Sequence, residues 1–329
     1  MTSATMRAAR LHGIGDVRVE SLPVPEPARG EVLVRVDACG VCPTDARKYA
    51  IGVNDGDYPF NPGHEWVGRV VEAGKDVRGV SPGELVYGDT YGGYAEYATI
   101  ATVPGGWSRG ALPLGDLAVE RAVFLEPLAD CLHAVHDQAR VAVGHRVAIL
   151  GAGSMGLQMV AVAARAGARV MAVEPREDRR ALATRFGAEL SVDAEGWREA
   201  AAEWTGGAGP EAVIVTLGRA EVAAGAVGAC APGGRVVLFA GFGNEGVAPV
   251  DLNRLHYKEI SLVGSEWVGV PPHQRFERYE QARELLADGG LALEELVSDR
   301  IGLDGVDGAL RAVRDQRSLK AVLYPEGVA

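Results

Sequence analysis

The sequence predicts an α/β protein of two domains, one with antiparallel, barrel-like strands and one built on a doubly wound parallel sheet. Three observations lead to this prediction. The chain has 329 residues, and at roughly 100 to 200 residues per domain this length suggests two domains. Short strands and turn residues fill its first third. From Glu126 onward, apolar strands alternate with helical stretches.

The first region consists of short strands separated by turns. Residues 16–22, 31–38 and 66–74 alternate or cluster β-branched side chains, as half-buried strands do. Stretches rich in proline and glycine, such as "PVPEPARG" and "VSPGE", lie between them. This rhythm indicates an antiparallel, barrel-like arrangement.

The second region has the pattern of a parallel sheet covered on both faces. It opens with a helical stretch, "EPLADCLHAVHDQARVAVG". A later helix is predicted from Arg176 to Phe186, with Gly187 as its C-terminal cap. Apolar strands joined by crossover helices form parallel sheets. The predicted strands are "RVAILG", "RVMAVE", "EAVIVTLG", "RVVLFAG" and "ISLVGS".

The pattern changes again after Ser265. Two helices are predicted there, at 275–287 and 304–315, and a last strand follows in "LKAVLYP". Because a late strand can return to the first domain, the middle region is predicted to be an insertion. The expected division is 1–127 with 266–329 for one domain and 128–265 for the other.

Composition excludes several classes of protein. The net charge is −11 without a basic patch, which argues against nucleic acid as a partner. No segment has the apolar length of a membrane span and the N-terminal residues do not resemble a secretory signal, so a cytoplasmic location is expected. Four cysteines are too few for a disulfide scaffold.

A glycine-rich segment predicts a dinucleotide site. Gly151, Gly153 and Gly156 form a GxGxxG pattern that follows a predicted strand and opens a predicted helix at Ser154 and Met155. The glycines allow a tight turn, close approach of a pyrophosphate and close packing of helix on strand. An unpaired helix N-terminus attracts phosphate. This combination predicts a Rossmann domain that binds NAD or NADP.

The acidic residue at the end of the next strand favours NAD. Glu174 should accept hydrogen bonds from the ribose hydroxyls, and its charge would repel a 2′-phosphate. Arg176, Arg179 and Arg180 follow it, and at least two of them are interpreted as a solvated helix face. Arg179 is the candidate cofactor contact among them, and the three arginines leave dual use of NADP open.

Five residues of the first region are candidate metal ligands. Zinc catalysis needs three ligands of N, S or O type and one open position. Each candidate also has an ordinary interpretation, as a buried thiol, a turn histidine or a solvated carboxylate. His64 and Glu65 begin a predicted strand, where neighbours point to opposite faces, so His64 is the better candidate. The candidates are Cys39, Cys42, His64, Glu65 and Glu126.

Six motifs in order resemble one enzyme family. The chain is similar to zinc-dependent medium-chain dehydrogenases/reductases, the alcohol and polyol dehydrogenase superfamily, over nearly its whole length. This resemblance implies a GroES-like β-barrel catalytic domain with a Rossmann domain inserted between its two parts. The motifs are "ACGVCPTD", "PGHEWVGRVVEAG", "EPLA", "VAILGAGSMGL", "HYKEISLVGS" and "SLKAVLYP".

The resemblance also implies roles for particular residues. It implies that Cys42, His64 and Glu126 bind the catalytic zinc, with Glu65 as a possible fourth ligand that exchanges with water. Thr44 matches the hydroxyl that takes the proton of the alcohol. Asp45 is expected to orient His64. Cys39 is then expected to be a small buried residue and neither half of a disulfide nor part of a zinc knuckle.

Two departures from the family pattern bear on the chemistry. The cysteine-rich lobe that binds a structural zinc in many members is missing, since "GELVYGDTYGGYAEYATI" runs straight through, so one zinc per subunit is expected. Arg47 falls where many members have a proton-relaying histidine, and arginine cannot act as a base. Arg47 is expected either to contact the cofactor pyrophosphate, because Pro43 does not, or to form a surface salt bridge.

The resulting expectation is an NAD-dependent, zinc-dependent enzyme that oxidises a secondary alcohol of a polyol, cyclitol or sugar-like substrate. The alternatives are a zinc-free enoyl or quinone reductase and a non-catalytic NAD-binding sensor or scaffold. A homodimer or homotetramer is expected through the strand at 260–264. Substrate selectivity is expected to depend on Tyr49, Tyr58, Tyr91, Trp107, Trp267 and Val268.

Overall fold

The computed structural model describes residues 4–53, 57–102, 110–242 and 246–327. Two compact units are present. Unit 1 combines Met1–Pro127 with Pro271–Ala329, and unit 2 is the continuous segment Leu128–Val270. Trp107 and the other residues 103–109 lie outside the described residues.

Unit 1 is mainly a β structure. A two-stranded antiparallel sheet pairs the first two strands, and a larger sheet has the order β14-β15-β3-β4-β5-β7. The strands are β1 (Thr5–Gly13), β2 (Asp16–Pro23), β3 (Glu31–Val41), β4 (Glu65–Ala73), β5 (Leu85–Gly88), β6 (Tyr97–Ala101), β7 (Leu112–Pro113), β14 (Asp299–Ile301) and β15 (Ala321–Leu323).

Strand β3 organises the larger sheet because it is long enough to have two successive partners along one edge. Its residues 31–35 pair with β6, its residues 39–41 pair with β15, and β4 lies along the other edge. Register shifts interrupt the β3–β4 pairing and bend the ladder. The predicted largely antiparallel character of this region is confirmed. This assignment does not depend on closure of the sheet into a barrel.

The core of unit 1 follows from the alternation of side chains along these strands. Val32, Val34 and Val36 point to one face of β3, where they are buried with Trp66. The helices are α1 (Pro43–Ile51), α2 (Val119–Ala122), α3 (Leu125–Leu132), α9 (Pro272–Ala287) and α10 (Val306–Arg314), with short 3₁₀ turns at Leu293–Leu296 and Leu303–Gly305. Helix α3 starts in unit 1 and continues into unit 2.

Unit 2 is a six-stranded parallel sheet in the order β10-β9-β8-β11-β12-β13. This is the doubly wound arrangement that the alternation of apolar strands and helices predicts. The strands are β8 (Arg146–Leu150), β9 (Arg169–Val173), β10 (Leu190–Val192), β11 (Ala212–Val215), β12 (Arg235–Leu238) and β13 (Ser261–Gly264). The helices are α4 (Ser154–Arg165), α5 (Glu177–Arg185), α6 (Trp197–Trp204), α7 (Ala220–Ala229) and α8 (Leu252–Tyr257).

Two details of unit 2 can be compared with the sequence predictions. Gly187 comes two residues after α5 and adopts φ +106°, a conformation that suits glycine at a helix end. A π-helix, His133–Gln138, continues the helical stretch that opens the unit. Within the described residues, no helix is long and apolar enough to cross a membrane.

Candidate active site

Three metal-ligating side chains converge in unit 1. The ligand atoms of Cys42, His64 and Glu65 all lie within 4.8 Å of one another. Cys42 is the N-cap residue of α1, directly after β3. Because β3 and β4 are antiparallel and Gly40 lies opposite Glu65, the end of one strand meets the start of the other. The sheet register therefore brings together residues that lie more than 20 positions apart in the sequence.

His64 and Glu65 can both face this point because only one of them lies in the strand. Strand β4 begins at Glu65, and His64 precedes it. Gly63, before His64, has φ +86°, and a Cβ there would lie 2.4 Å from the ring of Tyr94. The alternation that should separate neighbours applies inside a strand and not in this turn. The irregular backbone required for both residues to act as ligands is therefore present.

Asp45 lies next to His64 of the cluster. It is fully buried in the first turn of α1, and His64 Nδ1 lies 3.4 Å from its Oδ1. The backbone N–H of Gly63 donates to the same oxygen at 3.2 Å, and the Tyr94 hydroxyl donates to the other at 3.2 Å. These contacts fix the carboxylate of Asp45 beside the imidazole of His64.

Glu126 lies near the cluster but outside its tightest group. It is in the first turn of α3. Burial and the charge of Glu65 raise the pKa of Glu126 to about 7, so its carboxyl lies close enough to sense that residue. The group with ligand atoms within 4.8 Å of one another contains Cys42, His64 and Glu65 but not Glu126.

Lys320 is a residue of the site to which the sequence assigned no role. Its ammonium donates a hydrogen bond to Oε2 of Glu65, and the two residues are 4% and 2% exposed. Burial disfavours the charged amine, but the carboxylate of Glu65 outweighs this and raises the lysine pKa. The only signal in the sequence was its place in "SLKAVLYP", directly before the last strand. The pairing spans 255 positions, so no local pattern reveals it.

Gly40 makes room for this ion pair. A Cβ at Gly40 would lie 2.1 Å from Oε2 of Glu65 and 2.9 Å from Nζ of Lys320. Real Cβ atoms do not approach other atoms so closely, so a larger residue would displace both charged groups. The glycine of "ACGVC" is thus explained by packing and not by backbone freedom.

The electrostatics of this cluster suit a bound cation. Burial, and then the charge of Glu65, raises the pKa of the Cys42 thiol. Burial opposes protonation of His64, but Asp45 and Cys42 outweigh it and raise the imidazole pKa well above its usual range. Acidic groups crowded out of water favour any positive charge placed between them. A thiol, an imidazole and carboxylates are the donor set that zinc prefers, so the residues fit this metal.

Thr44 and Arg47 lie on α1, whereas Cys39 lies in β3. Thr44 and Arg47 are exposed. Cys39 is fully buried without a disulfide, and burial raises the pKa of its thiol well above the usual range. All four cysteines are free thiols.

The residues expected to govern selectivity have different environments. Tyr49 is fully buried and donates to Asp307 at 2.6 Å, which makes it part of the packing between α1 and α10. Tyr91 packs edge-on against His64, with ring centroids 5.1 Å apart. In unit 2, Trp267 is buried beside His133 and Val268 is exposed.

The glycine-rich loop of unit 2 has the geometry of a phosphate-binding turn. Gly151 adopts φ +102° directly after β8, which is a turn that disfavours other residues. A Cβ at Gly156 would lie 2.0 Å from the Gly151 carbonyl oxygen, so this glycine permits close contact between helix and turn. At Gly153, the N-cap of α4, nothing lies within 4 Å of an added Cβ. The space next to Ser154 and Met155 is therefore open for a ligand.

Glu174 lies beside this loop at the end of β9. It is 5% exposed, and its carboxylate accepts hydrogen bonds from the backbone N–H of Ala152 at 2.9 Å and of Arg176 at 3.1 Å. These contacts fix the carboxylate next to the glycine-rich turn. A fixed carboxylate at this point can accept hydrogen bonds from a diol and repels a phosphate.

Two of the nearby arginines are engaged by other groups. Arg176 pairs with Asp178 at 2.6 Å. Arg180 donates to the carbonyl oxygens of Glu174 and Pro175, each at 2.7 Å, and pairs with Asp193. Arg179 is 8% exposed, and burial lowers its pKa.

Comparison with known proteins identifies the family to which the chain belongs. A family model described as an alcohol dehydrogenase GroES-like domain matches residues 28–111, and one described as a zinc-binding dehydrogenase matches residues 154–288. A probable alcohol dehydrogenase of Mycobacterium tuberculosis H37Rv is 30% identical over 365 residues, covering 95% of this chain and 96% of the relative. Sorbitol dehydrogenase of Bombyx mori is 26% identical over 357 residues, covering 96% and 98%.

A solved structure shows the same architecture. A protein of Sinorhizobium meliloti 1021, described as a zinc-binding dehydrogenase bound to NADP, superposes with a TM-score of 0.88 at 28% identity. The match covers 98% of this chain and 100% of that one. The fold and the matched regions define an oxidoreductase that acts on CH–OH groups. The chain belongs to the zinc-dependent medium-chain dehydrogenase/reductase superfamily, of the alcohol and polyol dehydrogenase type.

Proposed function

We propose that this protein is a zinc-dependent, NAD-dependent dehydrogenase that oxidises a secondary alcohol of a polyol, cyclitol or sugar-like substrate, or reduces the corresponding ketone. The observation that carries the proposal is the convergence of Cys42, His64 and Glu65 in one partly buried cluster. Among the relatives, sorbitol dehydrogenase and erythritol/L-threitol dehydrogenase act on polyols by name. The proposal extends that substrate class to this chain.

Cys42, His64 and Glu126 are the proposed zinc ligands, and Glu65 is the proposed exchangeable fourth ligand. This division follows from Lys320, which already pairs with Glu65 and partly neutralises it. Glu126 lacks such a fixed partner in the described contacts, and burial together with the charge of Glu65 raises its pKa to about 7. A single zinc per subunit is proposed, because the chain lacks the lobe of closely spaced cysteines that binds a structural zinc in many members.

The protein's own residues would manage the proton and the orientation of the substrate. Zinc, when bound, supplies a Lewis acid that lowers the pKa of the substrate hydroxyl, and NAD supplies the hydride acceptor. Thr44, on the exposed side of α1, is the proposed first acceptor of the hydroxyl proton. Asp45 keeps the His64 imidazole oriented throughout. Arg47 cannot accept a proton at working pH, so proton release to solvent is proposed to pass through water or Glu65.

NAD is proposed as the preferred cofactor, although the matched Sinorhizobium meliloti structure contains NADP. Support comes from Glu174, whose buried carboxylate is fixed beside the phosphate-binding turn. Support also comes from Arg176 and Arg180, whose guanidinium groups already interact with carboxylates and carbonyls. We propose that β13, at the edge of the unit 2 sheet, forms the contact between subunits of a homo-oligomer.

The test is zinc analysis combined with a cofactor and substrate screen. The Cys42→Ala and His64→Ala variants should lose bound zinc and at least about 100-fold in turnover, in line with loss of a catalytic Lewis acid. Cys39→Ala is the matched control, since this neighbouring thiol lies in the hydrophobic core, and it should keep both. Glu126→Gln should lose more zinc than Glu65→Gln.

The same screen separates the rival functions. NADH absorbance is followed with NAD or NADP and a set of polyols, cyclitols and sugars. Reduction of NAD with at least one of these alcohols supports the proposal. Full activity in zinc-free protein would instead indicate a zinc-free reductase, and NAD binding without turnover on any alcohol or ketone would indicate a sensor or scaffold.

A further inference from the structure

A lysine lies over two aromatic rings beside the candidate metal cluster. Lys48 Nζ is 5.3 Å from the ring centroid of Phe60 and 5.4 Å from that of Tyr91. The two rings contact each other at 4.9 Å, and Tyr91 also contacts His64 at 5.1 Å. Two adjacent rings at these distances attract an ammonium by cation–π interaction and remove part of its water. The Lys48 ammonium is therefore held one aromatic ring away from a proposed zinc ligand.

The Lys48 ammonium pairs with no carboxylate among the described residues. Across the described ranges, no Asp or Glu oxygen lies within 4.0 Å of Lys48, although arginines throughout the chain form such pairs. The neighbouring acidic groups are already engaged, since Asp45 contacts His64 and Glu65 pairs with Lys320. The chain has only four lysines among its 33 basic residues, and two of them lie at this site. A partly buried cation without a counter-ion favours an anionic ligand.

Lys48 also faces the same way as the proposed proton acceptor. Thr44 and Lys48 are four residues apart on α1, so they lie on one face of the helix, with Arg47 beside them. A molecule whose hydroxyl contacts Thr44 can therefore extend along this face toward Lys48. Four helical residues advance about 6 Å, which is the length of a small alcohol of a few carbon atoms.

We propose that Lys48 binds an anionic group of the substrate, a carboxylate or a phosphate ester, on the alcohol that the enzyme oxidises. The proposal rests on the dehydrogenase function proposed above and narrows its substrate class to hydroxy acids and phosphorylated polyols of short chain. The rings of Tyr91 and Phe60 lie beside Lys48, so the apolar side of the carbon chain would pack against them. Selectivity then comes from one charge contact and two ring faces.

The test compares substrates that share one carbon skeleton and differ in charge. Zinc-loaded enzyme with NAD is assayed on a four-carbon tetritol, the tetronic acid in which C1 is a carboxylate and the other hydroxyls are kept, and the tetritol 4-phosphate. We expect kcat/KM for at least one anionic member to exceed that for the tetritol by about tenfold or more, as one charge-assisted hydrogen bond provides. Preference for the acid or for the phosphate ester identifies the group.

Variants then assign this preference to Lys48. Lys48→Met should raise KM for the anionic substrate about tenfold and leave kcat and the tetritol KM nearly unchanged. Lys48→Arg should retain most of the preference. Lys75→Met is the matched control, because this exposed lysine lies in unit 1 away from α1. Isothermal titration calorimetry of the tetronic acid into each variant gives the same comparison without turnover.

Three results would overturn the inference. One is a wild-type kcat/KM for the neutral tetritol that equals or exceeds the values for both anionic substrates. Another is an equal loss for charged and neutral substrates in Lys48→Met. A third is a raised KM for NAD in that variant, which would assign the lysine to the cofactor. If no alcohol is oxidised, the dehydrogenase proposal fails, whereas calorimetry with Lys48→Met still decides whether the lysine binds the anion.

Discussion

Replacing Lys320 with methionine tests most directly whether the buried ion pair with Glu65 stabilises the candidate metal site. The substitution keeps an unbranched side chain of similar length but removes the ammonium that pairs with Glu65. Both residues are more than nine-tenths buried, at 4% and 2% exposure. The Glu65 carboxylate would be left in the protein interior without its positive partner.

The expected cost is large for a single substitution. Removing one member of a buried ion pair typically destabilises a protein by about 3–5 kcal/mol, because the remaining charge keeps its desolvation cost. The raised pKa of Lys320 means that its contribution is fully present below the ordinary lysine pKa and is lost only as the pH rises through the raised value. Measurements at neutral pH therefore report the whole effect.

The assay is urea unfolding of zinc-free protein, followed by tryptophan fluorescence because Trp66 is buried in unit 1. Adding Glu65→Gln to Lys320→Met should recover more than half of the loss, since the isolated charge disappears. Bound zinc should also reduce the cost, because a cation in the cluster compensates Glu65. A loss below about 1 kcal/mol, the range of an exposed ion pair, would refute the reasoning.

Two further predictions concern unit 2. Gly156→Ala should lower the melting temperature of the protein and weaken NAD binding at least about tenfold, because its Cβ would lie 2.0 Å from the Gly151 carbonyl oxygen. Thermal melting and fluorescence titration with NAD measure these two effects. Unchanged NAD binding would contradict the role given to the turn. The pKa of Glu189 is lowered to about 2 by its hydrogen bond with Arg169. This depressed value adds stability above the ordinary glutamate pKa that is lost as the pH falls toward 2, so in acid unfolding Glu189→Gln should lose less stability over this range than the wild type. Because both side chains are about half exposed, the difference should be small and should shrink in salt; an identical acid profile would show that the pair contributes nothing.

The parallel sheet was the feature most accessible from sequence. Its strands are short apolar runs, and each is followed by a turn or helix that the local residues specify. Gly187 marked the end of α5 because a positive φ at that position needs glycine. In unit 1 the strands were harder to predict, since β3 exchanges one partner for another along its length and no local pattern encodes that.

The residues of the candidate site also differed in how far the sequence alone could predict them. Cys42, His64 and Glu65 could be nominated from residue type and spacing, although strand alternation alone argued against using both His64 and Glu65. The structure removes that objection because the strand starts one residue later than the histidine. Lys320 could not be assigned a role from the sequence, since its side chain contacts Glu65 across 255 positions of the chain.

The ion pair between Glu65 and Lys320 has a consequence for the order of folding. All of unit 2, Leu128–Val270, lies between the two partners in the chain. A contact across 255 positions requires closure of a very long loop, whereas the parallel strands of unit 2 lie within one continuous segment. We expect the sheet of unit 2 to assemble first and the charged end of the metal cluster to form among the last contacts. In a folding intermediate that has not yet formed this contact, Lys320 would not fix the Glu65 carboxylate. We therefore expect such an intermediate to bind zinc more weakly than the native protein does.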